Sequence, residues 1–251
     1  MKKILVIGIG AGNPDYITIQ AVKALNKVDV FFLMDKGQSK DTLIDLRRDI
    51  CERYITDRHY RFVEARSPER ERGDVDYKAS VDDLNLARQR TFERLINEEM
   101  SDDQCGGFQV WGDPALYDST LRILQAILAS GACAFEFEVI PGITSVQALA
   151  AQHKVALNQI GGSIEITTGR RLAAGQVSDT DSLVVMLDAQ DAYHQVADRE
   201  TDIYWGAYLG TPDEILISGK LKDVADEIER VRKAARLAHG WIMDTYLLRK
   251  P

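Results

Sequence analysis

Phe108-Gln109-Val110-Trp111-Gly112-Asp113-Pro114-Ala115-Leu116-Tyr117-Asp118-Ser119-Thr120 lies near the middle of a 251-residue chain. Its apolar beginning, with Phe, Val and Trp, has the composition of a short buried strand. Gly112-Asp113-Pro114 then forces a sharp turn, because glycine is free in φ and proline is fixed near about −65°. Asp118, Ser119 and Thr120 are N-cap residue types, and the run from Leu121 to Leu128 reads as a helix that stops before Gly131. The unit is therefore strand, glycine turn, helix. In open α/β sheets ligands bind just past the carboxyl ends of the strands. A carboxylate in this turn suits a polar ligand carrying hydroxyls or an amine, although Gly-Asp-Pro is also a good turn tripeptide in its own right.

Upstream, Ile4-Leu5-Val6-Ile7-Gly8-Ile9-Gly10 is the continuous apolar run of a parallel strand covered on both faces. The turn Ala11-Gly12-Asn13-Pro14-Asp15, a helix from Ile17 to Leu25 and the strand Val28 to Met34 complete a βαβ unit. The pattern departs from a dinucleotide fingerprint. After Gly8 and Gly10 the third glycine belongs at position 13, where Asn13 stands, and Pro14 removes an N–H that a pyrophosphate would use. Residues 38–55 read as a helix, 60–64 as a strand, 66–76 as a charged loop and 79–100 as a long polar helix.

Downstream, Ala134 to Ile140 alternates like a half-exposed strand, and Pro141-Gly142 breaks it. Thr144-Ser145 then caps a helix through Ala151. Strands are expected at 163–168, 182–187, 203–207 and 214–218, with a helix from Leu221 to Leu237. The last segment, Trp241 to Leu248, reads as a closing edge strand. Hairpin-like strands after βα units point to a mixed second sheet. The expected class is α/β, with two domains at residues 1–114 and 115–251.

Lys plus Arg number 31 against 39 Asp plus Glu, a net charge of −8. That balance argues against a general nucleic-acid or anionic-membrane binder, while leaving room for a local basic pocket. Cys51, Cys105 and Cys133 are odd in number and widely spaced, which indicates neither a disulfide framework nor a zinc site, and no metal site is expected. No apolar run reaches transmembrane length, and the N-terminus runs straight into a strand, so a cytoplasmic protein is expected.

Four separated segments then line up in order with one family. Gly8-Ile9-Gly10-Ala11-Gly12-Asn13-Pro14-Asp15, Gly112-Asp113-Pro114-Ala115-Leu116-Tyr117, Ile140-Pro141-Gly142-Ile143-Thr144-Ser145 and Gly210-Thr211-Pro212-Asp213-Glu214 resemble the motifs of the tetrapyrrole methylases. The resemblance implies two α/β domains with S-adenosylmethionine in a cleft between them, usually in a homodimer. It extends over the whole chain to Asp35-Lys36-Gly37, to Leu46 through Tyr54 and to His239 through Leu248. These features are similar to the members that methylate ring carbon 1 of precorrin-5, with water-driven loss of the acetyl group as acetate. Two departures stand out. Gly10-Ala11-Gly12 replaces the Gly-Pro-Gly of many relatives, and Tyr208-Leu209 stands where most carry Glu-Arg.

The residues implied at the cofactor site are Gly10, Ala11, Trp111, Gly112, Asp113, Leu116, Thr144, Ser145 and Met186, with Gly206, Ala207 and Tyr208. Water activation for acetyl loss needs a polar group, for which Tyr117, Asp118 and Asp35 are the candidates; each also suits a capping or core role. Lys36, Arg170 and Arg171 are candidates for the substrate's carboxylates, or ordinary surface charges. Another precorrin or non-tetrapyrrole specificity, a dinucleotide oxidoreductase and a catalytically silent binding domain are the rival readings.

Overall fold

A computed structural model describes the backbone of residues 1–35, 41–56, 58–68 and 77–250, and the side chains within those ranges except 35, 41–43 and 77–82. The chain forms two compact units. Unit 1 holds Met1–Gly10 and Pro14–Thr144, and unit 2 holds Ala11–Asn13 and Ser145–Pro251. The sequence expectation divided the chain at 114/115. The observed division falls thirty residues later, because the helix and strand after the central turn return to the first sheet.

In unit 1 the strands are β1 (Lys2–Gly8), β2 (Val30–Asp35), β3 (Arg61–Arg66), β4 (Cys105–Val110) and β5 (Phe135–Ile140). The intervening helices are α1 (Ile19–Leu25), α2 (Asp41–Tyr54), α3 (Tyr77–Glu98) and α4 (Thr120–Ser130). The strand order is β3-β2-β4-β1-β5 and every pairing is parallel. Side chains alternate across a strand, and β1 shows why its run had to be continuously apolar. Ile4 and Val6 pack with Phe92 and Leu95 of α3 and Ile123 and Leu124 of α4. Leu5 and Ile7 pack with Ala21 and Leu25 of α1 and Ile50 and Cys51 of α2. Burying such a side chain contributes about 1.5–3 kcal/mol, so both helix layers are held by the same four residues. Thr18 accepts a hydrogen bond from the Ala21 N–H and starts α1, and Gly131 at φ 70° ends α4.

This strand order creates a switch point. The chain leaves β2 toward β3 and leaves β4 toward β5, in opposite directions, and β2 and β4 are neighbours. A crevice opens where adjacent connections diverge in this way, at the carboxyl ends of the strands.

Unit 2 consists of α5 (Ser145–His153), β6 (Ile164–Thr168), α6 (Gly169–Ala173), β7 (Ser182–Met186), β8 (Asp202–Ala207), β9 (Ile215–Lys220), α7 (Leu221–His239) and β10 (Asp244–Arg249). The order is β6-β7-β10-β8-β9, with β6 and β7 parallel and the other pairs antiparallel, so the sheet is mixed as expected. The expectation of an edge strand at the end of the chain is corrected: β10 lies in the centre, between β7 and β8. Its Tyr246, Leu247 and Leu248 are all buried, because a central strand is covered on both faces. Beneath it, Arg232 of α7 donates to Asp244 at 2.9 Å and pairs with Asp191 at 3.1 Å, and Trp205 Nε1 donates to Asp244 at 3.0 Å. Tyr246 donates its hydroxyl to Asp188 at 2.7 Å. Burial of these charges is tolerated because each one is paired and hydrogen-bonded.

Candidate functional site

Three turns meet at the carboxyl edge of the sheet in unit 1. Gly10 (φ 85°) and Gly112 (φ 70°) form an antiparallel bridge, with the Gly112 N–H donating to the Gly10 carbonyl at 2.8 Å. Gly142 lies against both: a Cβ added there would meet the Gly112 carbonyl oxygen at 2.1 Å, and one on Gly8 would meet the Gly142 nitrogen at 2.6 Å. Only glycine permits backbones to approach so closely. Asp113 ties the turns together, its Oδ2 accepting from the Gly142 N–H at 2.8 Å and its Oδ1 from the Ala115 N–H at 2.7 Å. The carboxylate that the sequence offered to a ligand therefore holds the turns first, and two lone-pair directions remain for a guest. Leu116 closes the turn by donating its N–H to the Asp113 carbonyl at 3.2 Å. Buried Thr144 has its Cα 3.6 Å from where a Gly112 Cβ would stand, so the space above Gly112 is otherwise open.

In unit 2 three expected residues converge on Thr245, which sequence reasoning missed. Thr245 is opposite Met186 on one side and Gly206 on the other. Its hydroxyl lies 3.0 Å from that of Ser145. Ala207 follows, fully buried and opposite Asp244. Since β10 runs antiparallel to β7 and β8, its beginning meets both their carboxyl ends. A threonine at the start of a terminal strand carries no local signal for this position. The buried Tyr208 departs from a ligand-facing role: its hydroxyl donates to the Trp241 carbonyl, and only its backbone, at φ 50°, belongs to the strand end. The hydroxyl's pKa is raised by that burial. Ala11 is buried, and Gly12 beside it sits on the turn at 209–211, where a Cβ would meet the Leu209 carbonyl oxygen at 2.3 Å. The first and last glycine motifs of the sequence are thus packed together.

The other candidates are dispersed. Tyr117 is exposed at φ 52°, a conformation non-glycine residues adopt rarely. Asp118 Oδ1 accepts from the Thr120 N–H at 2.7 Å, which fixes the turn leading into α4. Asp118 and Trp111 also line a cavity in unit 1 with Arg47 and Arg88. Asp35 ends β2 opposite Arg66, but its side chain and the whole of Lys36 lie outside the described residues. Arg170 and Arg171 are exposed on α6, and Arg171 donates to the Gln176 carbonyl at 2.8 Å. Among the described residues no group of three His, Cys, Asp or Glu side chains could hold a metal ion. None of their helices is long and apolar enough to cross a membrane.

The family model of the Tetrapyrrole (Corrin/Porphyrin) Methylases matches residues 3–225. The chain belongs to that family and is a tetrapyrrole methyltransferase. It is 51% identical over 250 residues to a precorrin-6A synthase [deacetylating] of Sinorhizobium sp, covering 100% of this chain and 96% of the relative. A solved structure of a cobalamin synthesis related protein from Corynebacterium diphtheriae is 36% identical, with a TM-score of 0.83, over 99% of this chain and 98% of that one. Uroporphyrin-III-C-methyltransferase from Thermus thermophilus has the same fold at 18% identity and a TM-score of 0.64, over 99% and 92% of the two chains.

Proposed function

We propose that the chain is an S-adenosylmethionine-dependent C-methyltransferase that methylates ring carbon 1 of precorrin-5 and releases acetate to give precorrin-6A. The observation that carries this reading is the 51% identity, over the whole length of both chains, to a precorrin-6A synthase. The same reading makes the enzyme a cytoplasmic homodimer, acting on a tetrapyrrole and on neither nucleic acid nor membrane.

The residues present fit the cofactor. Glycine turns at strand ends present backbone carbonyls and N–H groups to a guest, and Gly112 leaves open space above it. When bound, S-adenosylmethionine supplies a methyl group on a sulfonium whose positive charge disappears during transfer. A site that held that cation with bare carboxylates would stabilise the ground state more than the transition state. Asp113 avoids this, since both of its oxygens already accept backbone N–H groups. The rate then comes chiefly from positioning. In unit 1 the residues assigned to the cofactor are Gly10, Gly112, Leu116 and Thr144, and in unit 2 they are Ala11, Ser145, Met186, Gly206, Ala207 and the Tyr208 backbone. The ring carbon is enamine-like, so methylation needs no strong base. Loss of acetate needs a water: Tyr117, Asp118 or Asp35 takes its proton as its oxygen attacks the acetyl carbonyl, the bond from that carbonyl carbon to the macrocycle breaks, and the electron pair passes into the macrocycle. Lys36, Arg170 and Arg171 meet substrate carboxylates.

Mass spectrometry of the product from precorrin-5 and S-adenosylmethionine tests the reading. The expected product has gained a methyl and lost the acetyl group, with acetate appearing in equal amount. Methyl gain with the acetyl retained would assign another specificity within the family.

A further inference from the structure

Arg47, Arg88, Asp118, Trp111, Gln109 and Ser119 line a cavity of about 120 Å³ in unit 1, at the carboxyl end of β4. Among the described lining residues two guanidinium groups, those of Arg47 and Arg88, accompany one carboxylate, that of Asp118. The half-buried Arg47 donates from Nε to the Gln109 carbonyl at 3.2 Å, and Arg88 donates to the Ser119 hydroxyl at 3.3 Å. Burial lowers the pKa of Arg47 to about 10, against the pull of the Asp118 carboxylate, and it lowers that of Arg88 as well. Cations in such a setting favour an anionic guest, which would offset their desolvation.

Two unsatisfied groups, one acceptor and one donor, show independently that the lining calls for polar guests. Gln109 is 6% exposed, and its amide nitrogen donates to the Arg47 carbonyl at 3.1 Å and toward the Cys51 sulfur at 3.5 Å. Its carbonyl oxygen is thereby turned elsewhere, and it has no partner among the described residues. The Trp111 Nε1 donor likewise has none. Orphaned buried groups each cost about 1–3 kcal/mol, which a guest that pairs them would relieve. A liquid water occupies about 30 Å³, so the cavity has room for a group of roughly acetate size beside a water.

We propose that this cavity is a carboxylate subsite. It takes one small monocarboxylate, which accepts from the guanidinium groups of Arg47 and Arg88 and from the Trp111 indole N–H, while a water beside it donates to Gln109. Guanidinium groups favour carboxylates because the fork matches both oxygens. The carboxylate is free acetate or a carboxymethyl arm of a larger molecule. Calling that molecule a tetrapyrrole rests on the function proposed above; the binding of acetate does not.

The test is a titration of the full chain with ¹³C-acetate followed by NMR line broadening, alongside calorimetry with S-adenosylhomocysteine. Saturable acetate binding is expected in the wild type, weakened at least tenfold in Arg88→Gln. Arg88→Lys keeps the charge and loses the fork, so it is expected to bind with intermediate affinity, and it carries the test if Arg88→Gln fails to fold. Displacement of acetate by uroporphyrin III, a macrocycle bearing eight carboxylates, would assign the subsite to a substrate arm. Acetate binding untouched by that macrocycle would assign it to the free acid. No saturable acetate binding, or equal binding in wild type and both variants, overturns the subsite. Absence of S-adenosylhomocysteine binding with acetate binding intact overturns the cofactor and reaction proposed above instead.

Discussion

A carboxylate that accepts two backbone N–H groups fixes the segments carrying them, because charge-assisted bonds are about twice as strong as neutral ones. Asp113 does this for the turns after β4 and β5, through Ala115 and Gly142. Asp113→Ala removes both acceptors and releases the Gly142 N–H from its place. Affinity for S-adenosylhomocysteine, read by calorimetry, is expected to fall more than tenfold, while Asp113→Asn, which keeps one acceptor, is expected to lose less. Unchanged affinity in the alanine variant would separate this turn from the cofactor. The residue type was legible in the sequence, since Gly-Asp-Pro announces a turn. Its partner at position 142 was not, because the bond joins residues 29 apart that only the sheet brings together.

At the scale of elements, the site of unit 1 is a contact between three loops rather than a property of any one. Gly8, Gly112 and Gly142 meet because β1, β4 and β5 are adjacent and parallel, which places all three carboxyl ends at one edge. Gly142→Ala drives a methyl group into the Gly112 carbonyl oxygen. Relieving the overlap requires backbone movement, for which a cost of about 1–3 kcal/mol is expected, measured as a lower midpoint in urea with an unchanged slope. Gly131→Ala is the control. It also carries a positive φ, but a Cβ there meets nothing within 4 Å, so its loss reflects conformation alone. In unit 2 the corresponding edge is made by the ends of β7 and β8 with the start of β10, and Thr245 joins them. The strands themselves were legible from composition; which edges pair was not, and that pairing is what creates Thr245's role.

For the molecule as a whole, the buried titratable groups set how stability responds to alkali. Burial pushes the Cys51 thiol from an ordinary 9.0 up to about 12, against a pull from the Gln109 amide, and pushes Cys105 to about 11. An unfolded thiol therefore releases its proton near pH 9 while the folded one retains it. The unfolded state binds fewer protons in that interval, so stability is full below pH 9 and falls as pH rises toward 12. One thiol such as Cys51 contributes a slope of about 1 kcal/mol per pH unit. Burial raises the Tyr193 and Tyr246 hydroxyls as well, which acts in the same direction at the upper end. Urea midpoints are expected to be level from pH 7 to 8.5 and to drop beyond it, with a gentler drop in Cys51→Ala once its lower baseline is subtracted. The three kinds of order in this chain have different origins. Strand, turn and helix identities, together with the family motifs, are written locally, because side-chain periodicity and the φ preferences of glycine and proline act within a few residues. Long-range pairing alone decided the rest: β10 as a central strand, the division at 144/145, the packing of Gly12 on the 209–211 turn and the charged cavity beside Trp111. Each of these depends on free energy gained only when distant segments bury a shared surface, and no short stretch of sequence carries that information.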